Sequence, residues 1–267
     1  MAFDISGLCD DLRVESAGLI AVLEGLSPDQ WRLDTPAVGW TIADQISHLA
    51  YFDDAAALAL TSPERFRAAA AALVARGDDF TEYVAAQYRA WTGSDVLIWF
   101  ADARESLLTT FGEVDPARKL PWFGPPMSAA SSLTARLMET WAHGVDVRDA
   151  LGVTPVGGAH LRHIAHLGYV TVGWSFVVHG RPKPEQPLRL ELTGPDGAQW
   201  QWGPVEAEDR ISGSALDFCL LVTQRRHRDD LDLIVDGPVA TEYSAIAQIF
   251  AGPPGPGRAP SSDATQG

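Results

Sequence analysis

The stretch RLMETWAHGVDVRDAL, residues 136–151, reads as a single helix. Glu139 and His143 then stand one turn apart on a shared face, and Asp146, seven residues after Glu139, falls on it too. Leu137, Met138 and Trp141 flank them. A carboxylate, an imidazole and a second carboxylate lined up among apolar side chains fit three arrangements: solvated surface groups, a buried hydrogen-bond network, or part of a metal site.

The segments around this helix place it in a bundle. Ile5, Leu8, Leu12, Leu19, Val22 and Leu26 mark the apolar face of a first helix, which LSPDQW ends. GWTIADQISHLAYFDDAAALAL, 39–60, opens with Thr41 and carries Asp44 three residues on, an acidic capping box, and predicts a second helix to about Leu60. From Pro63 to about Gly112 the pattern predicts two helices broken at TGSD, 92–95. The Pro- and Gly-rich loop EVDPARKLPWFGPPMS then leads into the helix of 136–151. Four or five helices with one long connection imply an antiparallel bundle.

After Gly152 the texture changes. VTPVGG is a break, and AHLRHIAHLGYVTVGWSFVVHG, 159–180, reads as another helix. PLRLELTGPDGAQWQWGP alternates around Gly194-Pro195-Asp196-Gly197, a hairpin signal. GSALDFCLLVTQRR reads as a buried helix, LDLIVDG as a strand and VATEYSAIAQIF as a last helix. The expected fold class is α+β: a helical bundle over residues 1–155, a smaller α+β domain over 156–252 and a disordered tail over 253–267.

The 267 residues carry a net charge of −15, which argues against nucleic acid and against anionic membranes as partners. Cys9 and Cys219 lie in apolar helical contexts and read as buried structural thiols. The N-terminus has neither a basic n-region nor an apolar h-region, and no apolar run is long enough for a membrane span, so a cytoplasmic location is expected. Neither a glycine-rich nucleotide loop nor a G-x-S-x-G elbow occurs.

Metal chemistry is the remaining lead. A divalent transition metal needs converging N and O donors at about 2.0–2.2 Å, and two donors at i and i+4 supply half of a tetrahedral site. His48, mid-helix among Ile46, Leu49 and Phe52, is the natural third donor, because an unpaired imidazole is costly to bury there. On residue chemistry alone, a metal site and a structural network weigh about equally.

GWTIADQISHLA, 39–50, and ETWAHGVDVRDALG, 139–152, resemble the DinB-like bundle of the mycothiol-dependent maleylpyruvate isomerase family. The likeness spans roughly residues 1–152, and the C-terminal part looks like the second domain such proteins carry, although it departs from the maleylpyruvate isomerase pattern. The resemblance implies a metal held by His48, Glu139 and His143, with zinc the expected ion. It also implies mycothiol as cosubstrate, so that a metal-dependent enzyme, a transferase or isomerase, acts on a small electrophile with a low-molecular-weight thiol. Two alternatives are a thiol-independent metal hydrolase or isomerase using a bound water, and a non-catalytic metal-containing binding protein. A monomer or homodimer is expected.

Further candidates surround the triad. Asp146 is a candidate acceptor orienting His143, against an ordinary helix salt bridge, and Asp44 the same for His48, against a simple helix cap. Arg148 is a candidate cofactor contact or a tether to the second domain. Trp122, with Phe123, is a candidate cofactor contact in an apolar lid, or a plug for the bundle's end. Arg225 and Arg226, followed by His227, are candidates for a substrate anion, or cations that suit a helix C-terminus. His160, His163 and His166 form a weaker rival metal set: their spacing turns about 300° per step on a helix, and no acidic partner lies nearby.

Overall fold

The computed structural model describes residues 4–77 and 80–261, which divide into two compact units at Pro155/Val156. The first unit begins with α1 (Ile5–Leu23), opened by Asp4 accepting the Gly7 N–H at 2.9 Å. A 3-10 turn at Gln30–Arg32 leads to α2 (Ile42–Thr61), where Thr41 and Asp44 form the reciprocal capping box that the sequence predicts. Next come α3 (Pro63–Val74), α4 (Phe80–Tyr88) and α5 (Gly93–Phe111), then the short strands β1 (Lys119–Leu120) and β2 (Met127–Ser128), and finally α6 (Ala129–Ala150). The break at TGSD is present, with Thr92 capping α5. The expected pair of helices over 63–112 is nevertheless three. After α3 the backbone turns at Gly77, whose φ of +100° suits glycine and ends the helix.

Helices α1, α2, α5 and α6 pack on one another as the bundle core. Leu12, Leu107, Leu133 and Leu137 fill one end and Leu19, Ile46, Phe100 and Val147 the other. Between these apolar layers lies a charged one. Arg104 of α5 donates Nε to Asp53 Oδ2 of α2 at 2.8 Å, Nη2 to Thr140 Oγ1 of α6 at 2.9 Å, and Nη1 to Ser16 Oγ of α1. Arg136 of α6 donates Nε to the other oxygen of Asp53 at 3.0 Å. One network thus links all four helices and fixes α2 against α6, the two that carry the candidate ligands.

The second unit contains α7 (Leu161–Val170), α8 (Val172–Val178), β3 (Leu188–Thr193), β4 (Gln199–Trp202), β5 (Asp209–Ser214), α9 (Ala215–Val222), β6 (Leu233–Asp236) and α10 (Pro238–Ile246). Its sheet has the order β4-β3-β5-β6, with β3 and β5 parallel and the other pairs antiparallel. The α+β class holds, and the Gly194–Gly197 turn joins β3 to β4 with Gly197 at φ +82°. Three local expectations are corrected. The helix over 159–180 is two, broken at Thr171, whose hydroxyl bonds back to the Leu167 carbonyl at 2.6 Å. Strand β5 was not anticipated, because DRISGS has too few apolar residues to signal a buried strand. The helix expected to run to Arg226 stops at Val222, and Gln224 follows in the left-handed region at φ 57°.

Residues 253–261 form no helix or strand, and Ser261 N bonds the Asp230 carboxylate at 3.0 Å. The rest of the expected tail, 262–267, lies outside the described residues. No described helix is long and apolar enough to cross a membrane.

Candidate metal centre

His48 comes from the middle of α2, and Glu139 and His143 come from successive turns of α6. Their ligand atoms all lie within 4.8 Å of one another, the one such His/Cys/Asp/Glu set among the described residues. Glu139 Oε2 stands 3.0 Å from His143 Nε2 and 3.7 Å from His48 Nε2. Donors of a tetrahedral zinc site, bound at about 2.0–2.1 Å, stand about 3.4 Å apart, a value these two distances bracket. The donor set and its spacing therefore fit a divalent ion.

Burial alone would raise the Glu139 carboxyl. Hydrogen bonds from His143 and His48, with their charge, more than offset it and hold the group well below the usual carboxylate range. Burial, and after it the charge of His143, draws His48 down to about 4. Near neutral pH the centre therefore offers a carboxylate and, at His48, a neutral imidazole, the forms a cation requires.

Aromatic rings wall the site. Trp40 stacks on His143 with centroids 6.1 Å apart and lies 5.2 Å from His48. Phe52 sits 4.6 Å from His48. Trp122 and Phe123, carried between β1 and β2, meet Phe52 at 6.2 and 5.4 Å, so these predicted lid residues stand one ring removed from the His48 imidazole.

The supporting residues differ from those expected. Asp44 places its carboxylate on Thr41 and on Arg89 Nε at 2.9 Å, so it serves the cap and an ion pair and does not orient His48. His143 has Glu139 at Nε2 and Gln45 Oε1 at Nδ1, so its ring partner is Gln45 and not Asp146, which is itself buried. Arg148 is buried, and its Nη1 donates to the Gly144 carbonyl at 3.1 Å, with Nη2 close to Gly18 of α1. That guanidinium takes part in the α1–α6 packing. A Cβ at position 144 would stand 2.9 Å from Arg148 Nη1, which gives the glycine after His143 a packing role.

In the second unit, Arg225 and Arg226 direct Nη1 to the carbonyls of Thr223 and Arg225 at 2.6 and 2.7 Å, contacts that suit cations just past a helix end. The three histidines at 160, 163 and 166 form no metal set among the described residues, and His166 lies 6.3 Å from the Trp202 ring. Gln45 was missed by sequence reasoning although a signal existed: it is an amide one turn before His48, between Ile42 and Ile46 on a buried face.

The geometry defines a class of protein, a four-helix core with a His/Glu/His cluster followed by a unit built on a mixed sheet. The profile of the mycothiol maleylpyruvate isomerase N-terminal domain matches residues 12–148, and the chain belongs to that family. A second profile, wyosine base formation, matches residues 184–235, which hold β3 to β5 and most of β6. Uncharacterized proteins from two strains of Mycobacterium tuberculosis are each 47% identical over 248 residues, covering 93% of this chain and 96% of theirs. Two crystal structures of the mycothiol-dependent maleylpyruvate isomerase share the fold. A histidine-to-alanine mutant has a TM-score of 0.59 at 16% identity, covering 88% of this chain and 97% of its own. The other structure gives 0.53 at 17%, covering 84% and 90%.

Proposed function

We propose that His48, Glu139 and His143 hold one divalent ion, zinc by the chemistry of the donors, and that the protein uses an external low-molecular-weight thiol of the mycothiol type to isomerise, or to accept transfer onto, a small electrophile. The observation that carries this reading is the convergence of two imidazoles and one carboxylate from two helices, with Glu139 Oε2 at 3.0 and 3.7 Å from the two ring nitrogens. Membership of the family supports the choice of a mycothiol-type thiol. When bound, such an ion supplies a Lewis acid that favours the anionic form of a thiol or water at its open position.

The chain's own residues define what enters. Trp40 and Phe52 flank the histidines with apolar faces, which favours a flat, conjugated electrophile and disfavours bulk water. The chain has no suitable thiol of its own, because Cys9 and Cys219 are both buried and burial raises both thiols. Thiol chemistry here requires a diffusible thiol.

The test is elemental analysis of purified protein beside His48→Ala and Glu139→Ala, followed by turnover of an activated cis-alkene with and without mycothiol. About one zinc per chain, absent from both variants, with turnover only when thiol is present, is the expected result. A wild-type protein that takes up no metal on reconstitution overturns the metal reading. Turnover without thiol overturns the thiol reading and favours a bound-water mechanism.

A further inference from the structure

A pocket of about 180 Å³ opens in the first unit where α2, α3, α4 and α5 come together. Tyr51, Asp54, Ala55 and Leu58 line it from α2, an i, i+3, i+4, i+7 series that shares one face of the helix. Tyr88, the last residue of α4, and Trp99 of α5 add two more rings, and Phe66 of α3 and Phe123 complete the wall. Ala55 and Ala70, where larger side chains would fill the space, leave the pocket open. Tyr51 and Tyr88 stand 6.4 Å apart at 49°, and Tyr88 and Trp99 4.4 Å apart at 43°. None of the ring pairs that these three residues make is stacked, so each keeps face area for a further contact.

The one charged side chain in this lining is Asp54. Its Oδ2 accepts the Trp99 Nε1–H at 2.8 Å, which leaves Oδ1 for another partner. Partial burial raises the carboxyl, the Trp99 hydrogen bond lowers it, and the charge of Asp53 raises it again. Among the described residues no ion pair reaches Asp54, and Arg89, next to Tyr88 in the chain, is committed to Asp44 and Glu82 at 2.9 and 2.8 Å. Aromatic faces are electronegative, so rings around an uncompensated carboxylate favour a cation. A quaternary ammonium has no N–H to satisfy, and its methyl groups suit alanine and ring carbon. A primary ammonium or a guanidinium would turn donors toward surfaces that cannot accept them.

We propose that this pocket binds the trimethylammonium group of a small soluble molecule, held by the faces of Tyr51, Tyr88 and Trp99 and by the Asp54 carboxylate. None of His48, Glu139 and His143 lines the pocket, so the assignment stands apart from the metal reading.

The experiment titrates the full chain with choline and with its uncharged isostere, in which carbon replaces nitrogen, at constant ionic strength. The readout is the Trp99 indole 1H–15N cross-peak, assigned with Trp99→Phe. Choline should shift the peak saturably, and the isostere should bind about 5- to 30-fold more weakly. Asp54→Asn keeps the side-chain shape and an acceptor for Trp99. It should weaken choline by a similar factor and leave the isostere unchanged, a split that a merely structural aspartate would not produce. Tyr88→Leu keeps apolar bulk without a ring and should weaken choline more than the isostere.

If Tyr88→Leu does not fold, Asp54→Asn carries the comparison. The absence of a saturable choline shift, equal affinity for the isostere, or an Asp54→Asn protein unchanged toward choline each overturns the proposal. A trimethyl-lysine peptide that binds more tightly than choline overturns the assignment to a small molecule.

Discussion

Asp53 receives Arg104 Nη2 at 2.7 Å in the centre of the bundle, with the carboxylate fully shielded and the arginine side chain 4% exposed. Arg136 approaches the second oxygen, so a single carboxylate is shared by two guanidiniums taken out of water. Removing one partner from such a network is costly because it leaves charge buried without compensation. Asp53→Asn is expected to lower stability by about 3–5 kcal/mol, read from urea unfolding midpoints at constant m. The variant should also weaken zinc binding, since Asp53 lies on α2 five residues past His48 and ties that helix to α6. A loss below about 1 kcal/mol, the scale of an exposed ion pair, would mean the network is not what holds the helices together.

The buried state of His48 makes a prediction about acid. Burial first, and the charge of His143 second, lower its pKa from 6.5 to about 4. An unfolded chain takes up this proton near 6.5, the folded chain only near 4. Stability is therefore untouched above pH 6.5 and falls as the pH drops from there to 4, by at most roughly 3 kcal/mol. Glu139, held low by the same histidines, keeps its contribution above the carboxylate range and loses it only at lower pH, as the pH falls through its depressed pKa. Metal-free wild type and His48→Gln should converge in unfolding midpoint, relative to their difference at pH 7, as the pH approaches 4.5. Parallel pH profiles for the two proteins would contradict this account.

The residues that share a face along one helix were the legible part of this centre. Glu139 and His143 are an i, i+4 pair, and His48 stands out as an imidazole on an apolar face, so the sequence alone proposes the triad. The supporting residues are legible only in three dimensions. Gln45 reaches His143 across two helices, and Arg104 joins residues from all four, so no periodicity records either contact. Local rules also misplace groups that have a choice of partners. Asp44 is close to His48 in sequence, yet Thr41 and Arg89 claim its carboxylate. Strand β5 escapes notice for a similar reason: its place in the sheet comes from pairing with β3 and β6 on either side, not from its own composition.

The two cysteines test whether the protein can supply its own nucleophile. Cys9 is 4% exposed and Cys219 fully buried, and burial raises both thiols. Native protein at about pH 8, below the ordinary cysteine pKa, should leave both thiols unmodified by a disulfide reagent over a time in which urea-unfolded protein reacts at both. Rapid stoichiometric reaction of either in the native state would open the way to an internal thiol and weaken the case for an external one.

Gly237 and Asp209 offer a prediction confined to the second unit. Asp209 Oδ1, from β5, accepts the Ala240 N–H at 3.0 Å and so caps the first turn of α10 from a neighbouring strand. Gly237, just before that helix, sits at φ +89°, and a Cβ there would lie 2.4 Å from the same Asp209 oxygen and 3.0 Å from the Asp209 Cα. Gly237→Ala thus suffers a left-handed backbone and a displaced cap together, and should cost about 2 kcal/mol or more. Asp209→Ala loses only the cap, at about 1 kcal/mol. Because the first substitution already disturbs the capping oxygen, the double variant should lose less than the two single losses combined. Urea unfolding of the three variants measures this coupling. Full additivity would show that the clash is relieved without moving Asp209, and a neutral Gly237→Ala would show that the turn adopts another path.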